Sequence, residues 1–326
     1  MSKLNKKRNF ADDIVVNGDT YAGVQALPYV TAAVKTPATV QNGYVRQIDG
    51  LTKSAVINNI ASTNPIQSAS VCNFDPGDNV STSEQVLTLT DYKVNEQICR
   101  GTIFPTWMGQ GMDRNGDLPQ AFSDFILSTV AGQAGEQIEK GLWMGKLDDT
   151  NNSVGFLSNS GNLDAAGFAA SACKDFATVE TATAETGAGT LEFLDEVYAK
   201  VAADKSALLS KPDFGFYVGT KVYSLMLQGL AANTTFQGLG AAGDFNNVTY
   251  MGYPVYVCPG MFNKTIVATY KSNMVFGTNL ATDWTEAKII PTYQYDGSDN
   301  VRVTMNFALG VQTAVAGDGV VGYDLV

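Results

Sequence analysis

Residues 117–145 read "DLPQAFSDFILSTVAGQAGEQIEKGLWMG". Apolar side chains recur in it at every fourth position: Leu118, Phe122, Ile126, Val130, Ala134, Ile138 and Leu142. This spacing predicts one long α-helix with a buried apolar stripe, which Phe125 widens. We expect Asp117 to cap the helix, Pro119 to occupy its first turn and Gly145 to end it. At about 1.5 Å per residue, about 26 helical residues extend about 40 Å.

The four-residue repeat has a consequence for packing. Each step advances about 400°, so the apolar stripe drifts by about 40° around the helix. A coiled-coil seam would instead repeat about every 3.5 residues. We therefore expect the two ends of the helix to contact different parts of the molecule. Glu136, Glu139 and Lys140 exclude a membrane-spanning segment, and we place the two glutamates on the polar face.

Histidine is absent from the 326 residues, and its absence excludes several classes of function. Serine–histidine and cysteine–histidine nucleophile pairs, histidine metal sites and imidazole acid–base catalysis all require it. The start, "MSKLNKKRNF", does not lead into the apolar segment of a signal peptide, and no apolar run reaches membrane length. We expect a soluble protein that is made in a cytoplasm.

The four cysteines, Cys72, Cys99, Cys173 and Cys258, form no C-x-x-C pair. A zinc site or a thioredoxin-like motif is therefore not expected, and we predict neither a metal nor an organic cofactor. We predict that the cysteines are small, buried, reduced hydrophobic residues. A disulfide between Cys72 and Cys99 across a hairpin remains an alternative.

The net charge of −11 conceals a basic N-terminus. Lys3, Lys6, Lys7 and Arg8 lie close together there, so the rest of the chain is more acidic than the total suggests. An acidic body argues against wrapping nucleic acid, whereas a short basic tail can make a weak contact with DNA phosphates. The alternative is that these basic side chains are merely solvated.

The first hundred residues predict an arm followed by β-structure. Residues 1–45 are rich in glycine, proline and threonine without a sustained period, which predicts an irregular arm. Further on, "SASVCNF" (68–74) and "EQVLTLTDYKVNEQIC" (84–99) flank the turn-like "DPGDNVSTS" (75–83), which predicts a long two-stranded excursion. Because an isolated hairpin is marginally stable in water, we expect this excursion to lie on another surface.

The second half of the chain predicts a compact unit and a long strand. Helical spacing begins at Thr190, "DFGFYVG" (213–219) reads as a buried strand, and "TKVYSLMLQGLA" (220–231) reads as a second helix. A glycine-rich loop at 233–247 leads to short strands. Residues 301–309 alternate apolar and polar side chains, which predicts a strand of about 30 Å with one apolar face. We expect this face to lie beneath the long helix.

Two motif-like patterns do not meet the requirements of a site. Gly238, Gly240 and Gly243 in "GLGAAG" match a dinucleotide-binding pattern, but no acidic residue follows about 20 positions on, and the flanks are not a strand and a helix. Residues 113–124 begin like a calcium loop, but the glycine comes too early and Asp124 replaces the bidentate glutamate. We interpret them as a turn that leads into the helix, and we predict no catalytic residues.

The order of these parts resembles the major capsid protein of tailed double-stranded DNA bacteriophages, which has the Hong Kong 97-type fold. The resemblance rests on "FSDFILSTVAGQAGEQIEKGLWMG" (122–145) as spine helix, "YMGYPVYVCPGM" (250–261) as a glycine-containing strand pair, and "NMVFGTNLATDW" (273–284) and "VRVTMNFALGVQTA" (301–314) as the last strands. It implies an α+β fold divided into a 1–45 N-terminal arm, a 46–105 extended loop with flanking strands, a 106–186 spine helix and peripheral domain, a 187–262 axial domain, and 263–326 return strands with the C-terminal peripheral-domain sheet.

The resemblance also implies a function. Such proteins are structural: they assemble into hexamers and pentamers that form an icosahedral or prolate head around the genome. The protein would belong to the virion and assemble in the cytoplasm of the bacterial host. Residues 51–101 would extend over a neighbouring subunit, and the axial domain would lie at capsomer centres. The portal protein and decoration proteins are partners of the family, and the short arm favours a separate scaffolding protein.

Some relatives join neighbouring subunits by an isopeptide bond from a lysine of the extended loop to an asparagine. This sequence has no lysine between Lys53 and Lys93, so we expect no such bond. Two other functions stay open. An encapsulin-type nanocompartment shell has the same fold, and a nucleotide-dependent enzyme would depend on "GLGAAG".

Overall fold

The computed structural model describes residues 20–22, 37–61, 80–99, 120–147, 153–181, 185–232, 248–279, 286–292, 295, 297–298 and 300–324. The helices in these ranges are α1 (Ala38–Gln41), α2 (Gln120–Met144), α3 (Ala165–Ala169), α4 (Gly187–Asp204) and α5 (Thr220–Ala232). The strands are β1 (Thr20–Ala22), β2 (Arg46–Ile48), β3 (Ser54–Ala61), β4 (Ser81–Thr88), β5 (Thr90–Cys99), β6 (Ala177–Thr181), β7 (Phe214–Val218), β8 (Thr249–Tyr250), β9 (Tyr253–Val257), β10 (Thr265–Tyr270), β11 (Met274–Thr278), β12 (Glu286–Pro291), β13 (Asn300–Thr313) and β14 (Val320–Asp324). The strands form two larger sheets and one two-stranded sheet, so the fold class is α+β, as predicted.

Helix α2 confirms the predicted long helix. Its buried stripe contains Ile126, Val130, Ala134, Ile138 and Leu142. The prediction that Phe125 widens the stripe is wrong: the buried face widens on its other side, to Leu127 and Ala131, and Phe125 is exposed. The helix ends before Gly145, whose φ of 70° is a left-handed conformation that glycine adopts without strain. The predicted cap, Asp117, and the first stripe residue, Leu118, lie outside the described residues.

Sheet 1 has the order β1–β12–β13–β11–β2, and β5 also pairs with β13. Strand β13 is its centre: β5 pairs along it from Asn300↔Cys99 to Leu309↔Thr90, and β12 and β11 pair with successive parts of it. Alternate residues of β13 are buried in the same apolar core as α2: Val301, Val303, Met305, Phe307 and Leu309. The expectation that this strand lies beneath the long helix is confirmed.

Sheet 2 has the order β6–β14–β10–β7–β9–β8, and α4 and α5 pack against it around a second apolar core. The predicted helix–strand–helix unit is confirmed, but its first helix starts at Gly187 and not at Thr190. Thr186 caps the helix, because its Oγ1 accepts a hydrogen bond from the backbone N–H of Gly189 at 3.2 Å. The apolar spacing missed this first turn because glycines carry no side chain that could extend the pattern.

Strands β3 and β4 form the two-stranded sheet, called here the β3–β4 ribbon. Ser54–Ala61 is the strand that pairs with β4. Residues 68–74, which were predicted to supply one strand of the excursion, lie outside the described ranges. The predicted single run at 84–99 is also divided at Leu89, because β4 pairs in the ribbon and β5 joins sheet 1. Leu87 and Leu89 are buried, whereas the next inward side chains are those of Tyr92 and Val94. This change from odd to even positions marks the division in the sequence.

Part of the segment predicted as an irregular arm is ordered. Strand β1 pairs antiparallel with β12 at the edge of sheet 1, and the segment from Pro37 to Val45 forms α1 and buries Val40 and Val45. These residues are ordered by contacts with β12 and with the apolar core, which lie far away in the sequence, so the local sequence does not predict their structure. No helix within the described ranges is long and apolar enough to cross a membrane.

Candidate assembly surfaces and the junction of the sheets

The β3–β4 ribbon carries exposed apolar side chains on one face. Val56 and Val86 are directly opposite each other and are 56% and 52% exposed, and Ile60, further along the same face, is 70% exposed. Residues opposite each other in an antiparallel pair share a face, so these three side chains form a patch on one face, with the Asn58–Glu84 pair between Val56 and Ile60. Exposed apolar patches mark interaction surfaces in soluble proteins.

The base of the ribbon is fixed to sheet 1. Leu87 is fully buried, the backbone N–H of Leu89 donates to the carbonyl of Lys53 at 2.9 Å, and the side-chain amide of Gln312 donates to Gln85 Oε1 at 2.7 Å. At Gly310, an added Cβ would lie 2.3 Å from the carbonyl oxygen of Thr88, so only glycine allows this approach. The ribbon is therefore held at one end, while the face with Val56 and Val86 remains uncovered.

A buried carboxylate joins three distant segments of the chain. Glu139 on α2 is 5% exposed, and its oxygens accept hydrogen bonds from Thr39 N at 3.0 Å, Thr39 Oγ1 at 2.5 Å and Gly260 N at 3.4 Å. The prediction that Glu139 lies on the polar face is therefore wrong, whereas Glu136 is exposed as predicted. The hydrogen-bond donors lie about a hundred residues before and after Glu139 in the sequence, so the residue spacing within the helix does not predict them.

An aromatic group surrounds this junction. The indole N–H of Trp143 donates to Thr39 Oγ1 at 3.1 Å, and its ring lies 5.9 Å from that of Tyr217 in sheet 2. Tyr217 donates its hydroxyl to the carbonyl oxygen of Tyr44 at 2.7 Å, and Tyr44 stacks on Tyr256 with ring centroids 4.7 Å apart. Burial raises the pKa of Tyr217, so its hydroxyl remains a proton donor. The C-terminal end of α2 thus contacts sheet 2 as well as sheet 1.

The cysteines lie in different environments. Cys173 and Cys258 are buried, and burial raises the pKa of both thiols, which makes them poor nucleophiles. Cys99 is exposed, so the prediction of burial is wrong for this residue. Cys72 lies outside the described residues, as does the "GLGAAG" loop. Within the described ranges, no cluster of three or more acidic or cysteine side chains could hold a metal ion.

These features define a class of fold: two β-sheets joined by a long helix, with a projecting two-stranded ribbon. The sequence matches no protein-family model and no curated protein. Solved structures do match, and they show that the chain has the fold of phage major capsid proteins, as the sequence resemblance predicts.

Three solved structures illustrate the likeness. A chain of the satellite phage P4 procapsid, solved with its size determination protein, is 12% identical, covers 91% of this chain and 89% of its own, and has a TM-score of 0.61. A chain of the capsid of Myoviridae phage XM1 is 11% identical, covers 88% of this chain and 92% of its own, and has a TM-score of 0.55. A chain of a virus-like particle from Pyrococcus furiosus is 10% identical, covers 92% of this chain and 98% of its own, and has a TM-score of 0.50. At these identities, the likeness concerns the fold.

Proposed function

We propose that this chain is the major capsid protein of a tailed DNA bacteriophage. Copies of it assemble into hexamers and pentamers, and these form an icosahedral or prolate head around the genome. One observation carries the proposal: a subunit with a capsid fold extends a ribbon whose Val56, Ile60 and Val86 side chains are more than half exposed in the single chain. In a shell, the surface of a neighbouring copy covers them.

Covering this patch stabilises the assembly. Full burial of a valine or isoleucine side chain contributes about 1.5–3 kcal/mol, and these three side chains have about half of their surface left to bury. The patch therefore contributes about 2–4 kcal/mol per subunit before the loss of freedom on association is subtracted. The same contact is repeated by every copy, so a modest energy per subunit holds a closed shell.

Each part of the chain has a role in the proposed assembly. Residues 46–105, with the ribbon, are the extended loop that covers a neighbour, and residues 187–262, with α4 and α5, are the axial domain at capsomer centres. Residues 106–186 and 263–326 form the peripheral domain around α2 and β13.

The partners follow from the same assembly. Residues 1–45 are the N-terminal arm, and Lys3, Lys6, Lys7 and Arg8 contact packaged DNA weakly on the inner surface of the shell. A portal protein, a separate scaffolding protein and decoration proteins complete the particle, which assembles in the bacterial cytoplasm. Protease added to intact particles should leave the N-terminus uncut; early loss of the N-terminus would place it outside.

A shell without a phage genome is the second candidate. The likeness to the virus-like particle from Pyrococcus furiosus favours this second candidate, because the chain of that particle has a similar fold. The contents of purified particles separate the two: nuclease-protected DNA supports the phage head, and captured protein supports an encapsulin-type compartment. In both cases the chain is structural and not an enzyme.

The test is expression of the full chain with a matched pair of variants. Wild type should form closed shells in cryo-electron micrographs, with scaffolding protein from the same genome supplied if only capsomers form. Val86→Asp should prevent shell formation and leave the melting temperature of the subunit nearly unchanged, because Val86 is already exposed. Ser83→Asp places the same charge on the opposite face of the ribbon and should still form shells. A wild-type chain that stays a compact monomer at all concentrations would refute the proposal.

A further inference from the structure

The turn between β8 and β9 contains a residue that the local backbone does not favour. Tyr250 pairs with Tyr253, so the loop has two residues, Met251 and Gly252, with φ of 49° and 85°. Two-residue hairpin loops with positive φ at both positions strongly prefer asparagine, aspartate or glycine at the first. Among the described residues, Met251 is the one non-glycine residue with positive φ. Methionine at this position is strained.

Burial does not explain the methionine either. Its side chain is 56% exposed, and a Cβ added at Gly252 would meet no atom within 4 Å, so the turn projects away from the protein. Most described methionines behave differently: Met226, Met261, Met274 and Met305 are buried in the two cores. The single subunit therefore gains neither a favourable turn nor core packing from this side chain.

The turn is held rigidly by its neighbours. Tyr250 is buried and donates its hydroxyl to a carboxylate oxygen of Asp195 on α4. Tyr253 donates its hydroxyl to the carbonyl oxygen of Leu209 at 3.1 Å, and its ring meets the ring of Phe214 edge-on at 5.0 Å. A side chain on such a support loses little freedom on binding, which favours its use in a contact.

We propose that Met251 is a contact residue between two copies of this chain, and that its apolar side chain packs into a closely fitting surface on the second copy. The inference rests on the proposed function, because the neighbours of a shell subunit are copies of itself. Methionine is enriched in the buried centres of protein interfaces, and its flexible side chain adapts to irregular surfaces. The turn follows β8, an end strand of sheet 2, and the exposed side chain of Met251 is accessible to a second copy.

Oxidation with hydrogen peroxide, read by peptide mass spectrometry, tests the contact on the native chain. In unassembled subunits Met251 should oxidise readily, whereas in shells its oxidation should slow at least about fivefold, as expected for a side chain whose burial matters to binding. Met226, Met274 and Met305 are internal controls that should resist oxidation in both states. Equal oxidation of Met251 in subunits and shells would overturn the inference and leave the proposed function intact. Failure to form any shell would instead overturn the proposed function.

Two substitutions give an independent readout. Met251→Asn relieves the backbone strain, so the subunit should melt about 1–3 °C higher, yet shells should require at least about fivefold more protein to form. Met251→Leu keeps the apolar side chain and the strain, and it should form shells at the wild-type concentration. If Met251→Asn stabilises the subunit and also assembles normally, the side chain has no role in the contact.

Discussion

Glu139 shows how one residue can connect a whole subunit. Its carboxylate lies on the long helix and receives hydrogen bonds from Thr39, which precedes it by 100 positions, and from Gly260, which follows it by 121. Gly260 must be glycine for this approach, because an added Cβ would lie 2.1 Å from the carbonyl oxygen of Glu139. Hydrogen bonds to a buried charged group contribute more than neutral ones, and loss of the acceptor leaves the buried donors unsatisfied.

Glu139→Ala should lower the free energy of unfolding of the dissociated subunit by about 2–4 kcal/mol, because the N–H and hydroxyl of Thr39 and the N–H of Gly260 lose their acceptor. Glu136→Ala, one turn earlier on an exposed face of the same helix, is the matched control and should change it by less than about 0.5 kcal/mol. Denaturant unfolding measures both. Equal stability of the two variants would show that the carboxylate does not hold the junction.

Asp213 gives the subunit a dependence on pH. Burial acts to raise its pKa, but hydrogen bonds from the hydroxyl of Ser272 at 2.5 Å and the N–H of Ser272 at 3.0 Å outweigh burial and lower the pKa. A carboxyl whose folded pKa is lowered stabilises the fold above its unfolded pKa of about 3.9, and this contribution is lost as the pH falls through the folded value.

Asp213→Asn should therefore destabilise the subunit at neutral pH, and its difference from wild type should shrink as the pH falls below about 4. Thermal melting between pH 7 and pH 3 measures this difference. Asp91→Asn, at an exposed strand position, serves as the control for the substitution itself. A difference for Asp213→Asn that is constant with pH would show that Ser272 does not favour the ionised form.

At the scale of elements, patterns within one segment were predictable and pairings between segments were not. The helices α2, α4 and α5 and the strand β13 follow from periodic apolar residues, because each buries one face against a core. Strand β7 follows from a short apolar run, because all five of its residues are buried. The partner of β4 did not follow, since any segment with alternating residues could pair with it. The shift from Leu87 and Leu89 to Tyr92 and Val94 was a usable signal for the division between β4 and β5. No such signal existed for Glu139, whose partners lie in other elements.

The β3–β4 ribbon should behave as a separate, weakly protected element in the free subunit. A two-stranded sheet is marginally stable in water, so its amides should exchange with deuterium much faster than those of β10, in which every residue is buried. In assembled shells the ribbon amides should become protected, while β10 should be slow in both states. Ribbon amides that exchange equally fast in shells would show that no neighbour covers this element.

For the whole molecule, the prediction concerns how copies are joined. An isopeptide bond needs a lysine amine close to an amide and a carboxylate that assists its attack. The segment between Lys53 and Lys93 contains no lysine, so the ribbon and its tip supply no amine, and the shell should be held by non-covalent contacts. Particles boiled in detergent should run as one band near 34.7 kDa, with or without reductant. A ladder that survives reductant would contradict this, and one that collapses in reductant would implicate the cysteines.

The central place of β13 in sheet 1 has a consequence for the order in which the protein is made. Strands β5, β11 and β12 pair directly with β13, β1 pairs with β12 and β2 pairs with β11, and all five precede β13 in the chain. The pairs of β13 with β5, β11 and β12 can therefore form only after residues 300–313 have been synthesised. Pairing across some 200 residues is slow compared with local contacts. Chains that stop before residue 300 lack the strand that holds the base of the ribbon, so in the proposed shell only completed chains should supply the ribbon contact.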